Sequence, residues 1–284
     1  MKLALGGAQF GLDYGFEKNK KIEKNEIYKI KKLAKKFKVS FIDTAIGYND
    51  SESIIGNCKL NNFKIITKIK LPNKNILNIN KWSARIINKS LVNLKTNKIY
   101  AVLFHDYKDL LSNRGKELLN SLIHFKKKNF FSKIGISIYS PYELDVVWKF
   151  WKPDLVQVPF NVFDQRIVRS GWLNKLKIAN KEIFVRSCFL QGLLLGNFNK
   201  HSYFRSYKKE INYFFNWCKK EKISNLKACI HFVKQYSKID NLIVGFQNSV
   251  QLKEILNIFT EKQIKVPNIF NCNKINLIDP RRWH

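Results

Sequence analysis

The sequence predicts a closed (β/α)8 barrel, the TIM barrel fold, and three observations carry the prediction. Eight short apolar runs of strand length recur along the 284 residues. Segments with helical apolar spacing lie between them. No Pro- or Gly-rich linker and no low-complexity tract divides the chain, so residues 1–284 read as a single domain. Strands this short and this apolar imply burial on both faces, which favours a closed parallel barrel over an open doubly wound sheet.

The strands expected are Lys2–Leu5, Val39–Asp43, Phe63–Lys68, Tyr100–Phe104, Lys133–Ser137, Asp154–Val158, Glu182–Arg186 and Asn241–Gly245. After the first, Ile27, Ile30, Leu33, Ala34 and Phe37 recur at the spacing of one helix face. Leu118, Leu119, Leu122 and Ile123 do the same after the fourth. Beyond the seventh strand comes the longest irregular stretch, Phe189 to Ser206, with Gly192, Gly196 and Asn199. On a barrel it is a lid, a cofactor loop or an ordinary long connection. Leu226, Cys229, Ile230, Val233 and Tyr236 form an apolar face before the eighth strand, and Leu252, Ile255, Leu256 and Phe259 another after it.

Composition narrows the class. Apolar residues make up 45 % of the chain, enough for a substantial core. A net charge of +31, from 52 Lys and Arg against 21 Asp and Glu, would suit a nucleic acid, an anionic membrane surface or an acidic substrate. The lysines are spread along helical stretches such as Lys18 to Lys38, amid many Asn and Ile, as a genome-wide composition bias produces. A solvated surface is therefore expected, with no specific nucleic-acid partner. Five cysteines, without a CxxC pair or a His at zinc spacing, imply a reducing compartment and no metal. The amino-terminal apolar run is too short for a secretory signal and no window has membrane-span length, so a cytoplasmic protein is expected. The oligomeric state is left open. GxxxxGK[ST], HExxH and GxSxG are absent, and the segment Gly6 to Gly15 lacks both GxGxxG spacing and a helix start.

The chemistry gathers around Phe41–Gly56. A short strand runs into a loop bearing Tyr48, then into a helix where Asp50, Ser51 and Glu52 offer acceptors and negative charge to unpaired first-turn amides. Asp43 ends the second strand, Lys68 the third, and His105 follows the fourth. Successive parallel strands deliver all of them to one rim. Each alone has a plain structural role: a cap, a solvated charge, a buried imidazole, a loop anchor. Together they suit proton transfer to a developing alkoxide. The Lys68 ammonium favours an ionised phenol at Tyr48, Asp43 holds the lysine, and a neutral imidazole N–H of His105 orients and polarises a carbonyl oxygen.

In combination these motifs resemble the aldo/keto reductase family. The likeness lies in Asp43-Thr-Ala followed by Tyr48-x-x-Ser-Glu52, Thr67-Lys68 and Leu103-Phe-His105. It extends through Gly6-Gly-Ala-Gln-Phe-Gly11 with Tyr14-Gly15, Val156-Gln-Val-Pro-Phe-Asn161, Phe189-Leu-Gln-Gly-Leu-Leu194, and Ile243-Val-Gly245 with Gln251-Leu252. The resemblance implies reduction of an aldehyde or ketone by NADPH, with NADH not excluded. It implies that Tyr48 is the general acid, that Asp43 and Lys68 tune it, and that His105 orients the carbonyl. By the same likeness Ser137 and Gln157 would hold the nicotinamide carboxamide, with Arg186 and Ser187 beside it. The Gln191, Gly192 and Leu194 backbone would line the pyrophosphate, and Gly245, Gln247, Ser249 and Gln251 would approach the adenosine end. A helix amino terminus near Asn248 offers amides to a phosphate.

Several positions depart from the family pattern. Asn49 follows the tyrosine where Gly is usual, and Asn tolerates positive φ. Ile138 stands after Ser137 where many members have Asn, and Arg186-Ser187 replaces an aromatic that stacks on the nicotinamide. The usual arginine for the 2′-phosphate has no clear counterpart; Lys253 is the candidate. The stretch Arg186-Ser-Cys-Phe-Leu-Gln191 is most similar to members associated with sugar metabolism, which implies a sugar-derived carbonyl. Pocket walls are expected from residues 71–79, 107–113 and the tail 266–284. The alternative is a nicotinamide-nucleotide-binding regulatory subunit with little turnover.

Overall fold

Parallel strands buried on both faces leave no edge for water to satisfy, and here they meet that demand by closing on themselves. In the computed structural model, which describes residues 1–13, 21–72, 76–196, 198 and 201–283, eight parallel strands pair in chain order and the last returns to the first. They are β1 (Lys2–Gly6), β2 (Phe41–Asp43), β3 (Lys64–Ile69), β4 (Ile99–Phe104), β5 (Phe131–Ser137), β6 (Leu155–Pro159), β7 (Glu182–Arg186) and β8 (Asn241–Val244). Between and after them run α1 (Ala8–Gly11), α2 (Lys24–Lys36), α3 (Ser51–Asn57), α4 (Ile79–Leu94), α5 (Asn113–Lys127) and α6 (Pro141–Val147). Then follow α7 (Arg166–Arg169), α8 (Trp172–Ile178), α9 (Lys208–Lys220), α10 (Asn225–Lys234), α11 (Ser249–Thr260) and α12 (Ile275–Ile278). Tyr14-Gly15, Asn199, part of the 71–79 loop, part of Lys18–Lys38 and His284 lie outside the described residues.

The second strand starts two residues later than its apolar run. Lys38 adopts a left-handed conformation (φ 54°) after α2, and the Val39 amide donates back to the Ala34 carbonyl at 2.9 Å. Those residues close the helix, so pairing begins only at Phe41. The single turn α1 after β1 also differs from expectation. It forms because Gly11 lets the chain pass against the Tyr48 carbonyl: a Cβ on Gly11 would sit 2.0 Å from that oxygen.

Alternation along the strands layers the barrel interior. At its amino-terminal end the Tyr100 hydroxyl and the Lys133 ammonium donate to Glu182 Oε2 at 2.8 and 2.7 Å. Above them Phe41, Ile66, Leu103, Leu155, Phe184 and Ile243 form a buried apolar plug. The next inward positions, toward the carboxyl ends of the strands, are Asp43, Lys68, Ser137, Gln157 and Arg186. A larger apolar layer packs between the barrel and its helices. Of the helices, α4, α5, α6, α10 and α11 carry side-chain caps, from Asn78, Ser112, Ser140, Ser224 and Asn248. No described helix is long and apolar enough to cross a membrane.

Candidate active site

Lys68 is the best-determined group of the rim. It is 2 % exposed, and its ammonium donates to both Asp43 carboxylate oxygens at 2.7 Å and to the Thr44 carbonyl at 2.8 Å. These three bonds use all its protons. The Lys68 nitrogen lies 5.3 Å from the centre of the Tyr48 ring. Asp43 Oδ1 also accepts from Gln157 Nε2 at 2.7 Å, and Gln157 Oε1 accepts from the Ser137 hydroxyl at 3.3 Å. One chain of polar contacts thus crosses the barrel from β3 through β2 and β6 to β5.

Tyr48 is half-buried on the loop after β2. Its amide donates to the Ala45 carbonyl and its carbonyl accepts from the Ser51 amide, both at 3.0 Å. Asn49 takes the expected positive φ, 46°. The neighbouring motif residues do not serve the first-turn amides as expected, because their acceptors are used elsewhere. Ser51 Oγ donates to the Gly7 carbonyl at 2.8 Å, and Glu52 Oε1 accepts from the Thr67 and Ser90 hydroxyls at 2.7 and 2.5 Å. Ser51 ties the loop to the residue that follows β1, while Glu52 ties β3 to α4.

His105 is fixed by its amide, which donates to the Ile69 carbonyl at 2.9 Å. Its ring centre lies 5.8 Å from that of Tyr48, edge to face. Burial lowers its pKa from the ordinary 6.5 to about 4, with Lys68, Arg186 and Lys70 adding to the fall. The imidazole is neutral at physiological pH. Burial also raises the Tyr48 phenol, helped by the negative charge of Asp43 and opposed by Arg186. The expectation of a phenol drawn down by an ammonium is not met, because burial dominates and Asp43 adds to the rise. Lys68 itself is lowered by burial, with Asp43 pulling it back up.

The residues anticipated for a nucleotide are spread along the same rim. Gly245 and Gln251 line a cavity of about 350 Å³, together with Phe189, Leu195, Ser224 and Glu254. Its size and its mixed lining fit part of a nucleotide. Gln191 and Gly192 take positive φ (56° and 99°), and the Gly192 and Leu194 amides fold back onto the Phe189 carbonyl. Ser249 begins α11, and Gln247 lies just before it. There the Gln247 amide donates to Gln251 Oε1, the Gln251 amide to Asn248 Oδ1, and the Ser249 amide to the carboxylate of Glu26. The amides expected for a phosphate therefore already have acceptors. Ser187 also has positive φ (61°), and its carbonyl accepts from Asn161 Nδ2 at 3.0 Å.

Arg186 reaches into the rim from β7. It donates to Ser187 Oγ at 3.2 Å and to the Ile138 carbonyl at 3.0 Å, and its guanidinium carbon lies 4.2 Å from the centre of the Tyr139 ring. Tyr139 and Glu26 were not anticipated from sequence, whereas the tail that brings Arg281 over the Tyr139 ring was expected among the pocket walls. A tyrosine outside any apolar pattern gives no periodic signal. No group of three His, Cys, Asp or Glu residues among those described is arranged to hold a metal.

The aldo/keto reductase family model matches residues 2–276. No curated protein sequence gives a match. Among solved structures, an aldo-keto reductase from Bacillus halodurans in its holo form superposes with a TM-score of 0.72 at 14 % identity, covering 93 % of this chain and 88 % of that one. The glycerol dehydrogenase of Gluconobacter oxydans gives a TM-score of 0.69 at 18 % identity, covering 93 % and 87 %. At those identities the structural likenesses speak for the fold, and the family match covers nearly all of the barrel. The chain therefore belongs to the aldo/keto reductase family, a family of oxidoreductases acting on carbonyl compounds.

Proposed function

We propose that this protein, read as one barrel domain over residues 1–284, reduces an aldehyde or ketone to an alcohol with NADPH or NADH. Tyr48 serves as proton donor, Lys68 and Asp43 as the pair that sets its field, and His105 as the group that orients the carbonyl. The proximity of the Tyr48 ring to the Lys68 ammonium and the His105 imidazole carries this assignment.

A nicotinamide nucleotide held at this rim would supply the hydride that reaches the carbonyl carbon. As the carbon–oxygen π pair moves onto oxygen, the neutral His105 imidazole donates a hydrogen bond to it and Tyr48 Oη gives up its proton. A phenol held high by burial stays protonated at neutral pH, the form that can donate. An alkoxide is more basic still, so the transfer needs no prior ionisation. Asp43 keeps Lys68 charged inside the barrel, and Gln157 and Ser137 keep Asp43 in place. Ser137 and Gln157 remain the assigned neighbours of the nicotinamide carboxamide, with the Gln157 amide nitrogen shared with Asp43.

Adenosine-end selectivity is assigned to Glu26. Its carboxylate on the Ser249 amide sits where a 2′-phosphate would seek that amide, and so disfavours NADPH relative to NADH. A screen of aldehydes and ketones, sugar-derived ones included, with each nucleotide tests the function through loss of reduced-nucleotide absorbance. Turnover of at least one carbonyl is expected. Tight nucleotide binding without turnover across the panel would favour the regulatory-subunit alternative.

A further inference from the structure

Three arginines stand around Tyr139 at the barrel mouth, and two have carboxylate partners. Arg166 is held by Asp164 at 2.7 Å and Arg281 by Asp279 at 2.6 Å. Arg186, on β7 beside the candidate tetrad, has no carboxylate within ion-pair distance among the described residues. Its fixed contacts are a hydroxyl, a backbone carbonyl and an aromatic face.

A half-buried guanidinium is costly to leave without a counter-anion, and its fork suits carboxylate and phosphate oxygens. The tail brings a second guanidinium to the same place: the Arg281 carbon lies 3.7 Å from the centre of the Tyr139 ring. The two arginines are therefore no farther apart than the sum of their distances to one ring. Trp283, packed edge-on against Phe204 at 4.9 Å, anchors the tail that carries Arg281. Glu143 also lies near this cluster; burial raises its pKa against the opposing charges of Arg281 and Arg186, and its carboxyl accepts from the Tyr139 amide at 3.1 Å. Asp43, nearest the reacting position, is already committed to Lys68.

We propose that Arg186, backed by Arg281 across the Tyr139 ring, seats an anionic group, a carboxylate or a phosphate, carried by the carbonyl substrate. This specificity rests on the assignment of Tyr48 and His105 as the carbonyl site. It makes the substrate an acidic or phosphorylated aldehyde or ketone, oriented by its charged end.

Two matched pairs test it and separate the two anions: para-carboxybenzaldehyde against its methyl ester, and the phosphate monoester of glyceraldehyde against glyceraldehyde. In at least one pair the anionic member is expected to have about a tenfold to hundredfold higher kcat/KM, expressed mainly in KM. That ratio should collapse in Arg186→Gln, fall less in Arg281→Gln and recover in part in Arg186→Lys. Equal rates within both pairs, or a ratio unchanged in Arg186→Gln, overturn the proposal while leaving the reductase assignment intact. If no carbonyl is turned over, that assignment fails instead, and calorimetric titration with benzoate and inorganic phosphate still decides the anion seat. Binding that weakens about tenfold or more in a folded Arg186→Gln protein sustains it. Absent or unchanged binding of both anions overturns it.

Discussion

His105 offers a test in which stability and chemistry answer to the same proton. Its pKa falls from 6.5 to about 4, chiefly through burial, with the Lys68, Arg186 and Lys70 charges opposing protonation. A depressed value stabilises the fold above the unfolded pKa, and that contribution is lost as pH falls from 6.5 toward 4. A gap of this size is worth about 3 kcal/mol. Urea unfolding of the wild type and of His105→Gln, each at pH 7 and near pH 4, isolates the term, because other titrating groups are common to both proteins. The wild type should lose more stability than the variant, by up to about 3 kcal/mol. Activity should follow the same proton, with the acid limb of kcat/KM lying well below pH 6. Equal pH dependence in the two proteins would refute the neutral imidazole, and with it the role of His105 as an uncharged donor.

Other residues make separate predictions. Asp43→Asn leaves a buried ammonium without its counter-charge and should cost about 3–5 kcal/mol in chemical denaturation, whereas a loss under 1 kcal/mol would mean Lys68 finds another partner. Gly11→Ala forces a methyl group against the Tyr48 carbonyl; a clear drop in Tm is expected, with turnover falling beyond what the folded fraction explains. Glu26→Gln should strengthen NADPH binding several-fold relative to NADH in fluorescence titrations, by removing a negative charge from the α11 amino terminus. An unchanged ratio would show that the carboxylate does not select the nucleotide.

Much of the architecture was legible because parallel strands buried on both faces leave apolar runs that helices interrupt. The runs at Glu182–Arg186 and Asn241–Gly245 match β7 and β8 to within a residue. Helix α4 gave a blurred signal, since its buried stripe includes Ser83 and Ser90. Those hydroxyls are satisfied by Ser121 and Glu52, partners that spacing along the chain does not indicate. The same limit applies at the rim. Asp43 and Lys68 stand at the carboxyl-terminal ends of strands, and Tyr48 and His105 follow strands at that rim, where chemistry is expected of any barrel. The bond from Gln157 to Asp43 joins residues far apart in sequence, and the contact of Arg281 with Tyr139 depends on the path of the tail. Charge counting also suggested that Lys68 would draw the Tyr48 phenol down. The distances explain why it does not: the ammonium is used up by Asp43 and Thr44, leaving burial to dominate.

The central claim is that Tyr48 gives its proton to the oxygen of a carbonyl held beside Lys68 and His105. Its most direct test is Tyr48→Phe, with nucleotide binding followed by fluorescence and carbonyl reduction measured on the same sample. Unchanged nucleotide affinity with reduction lowered by at least about a hundredfold is the predicted result. Reduction at a wild-type rate would contradict it.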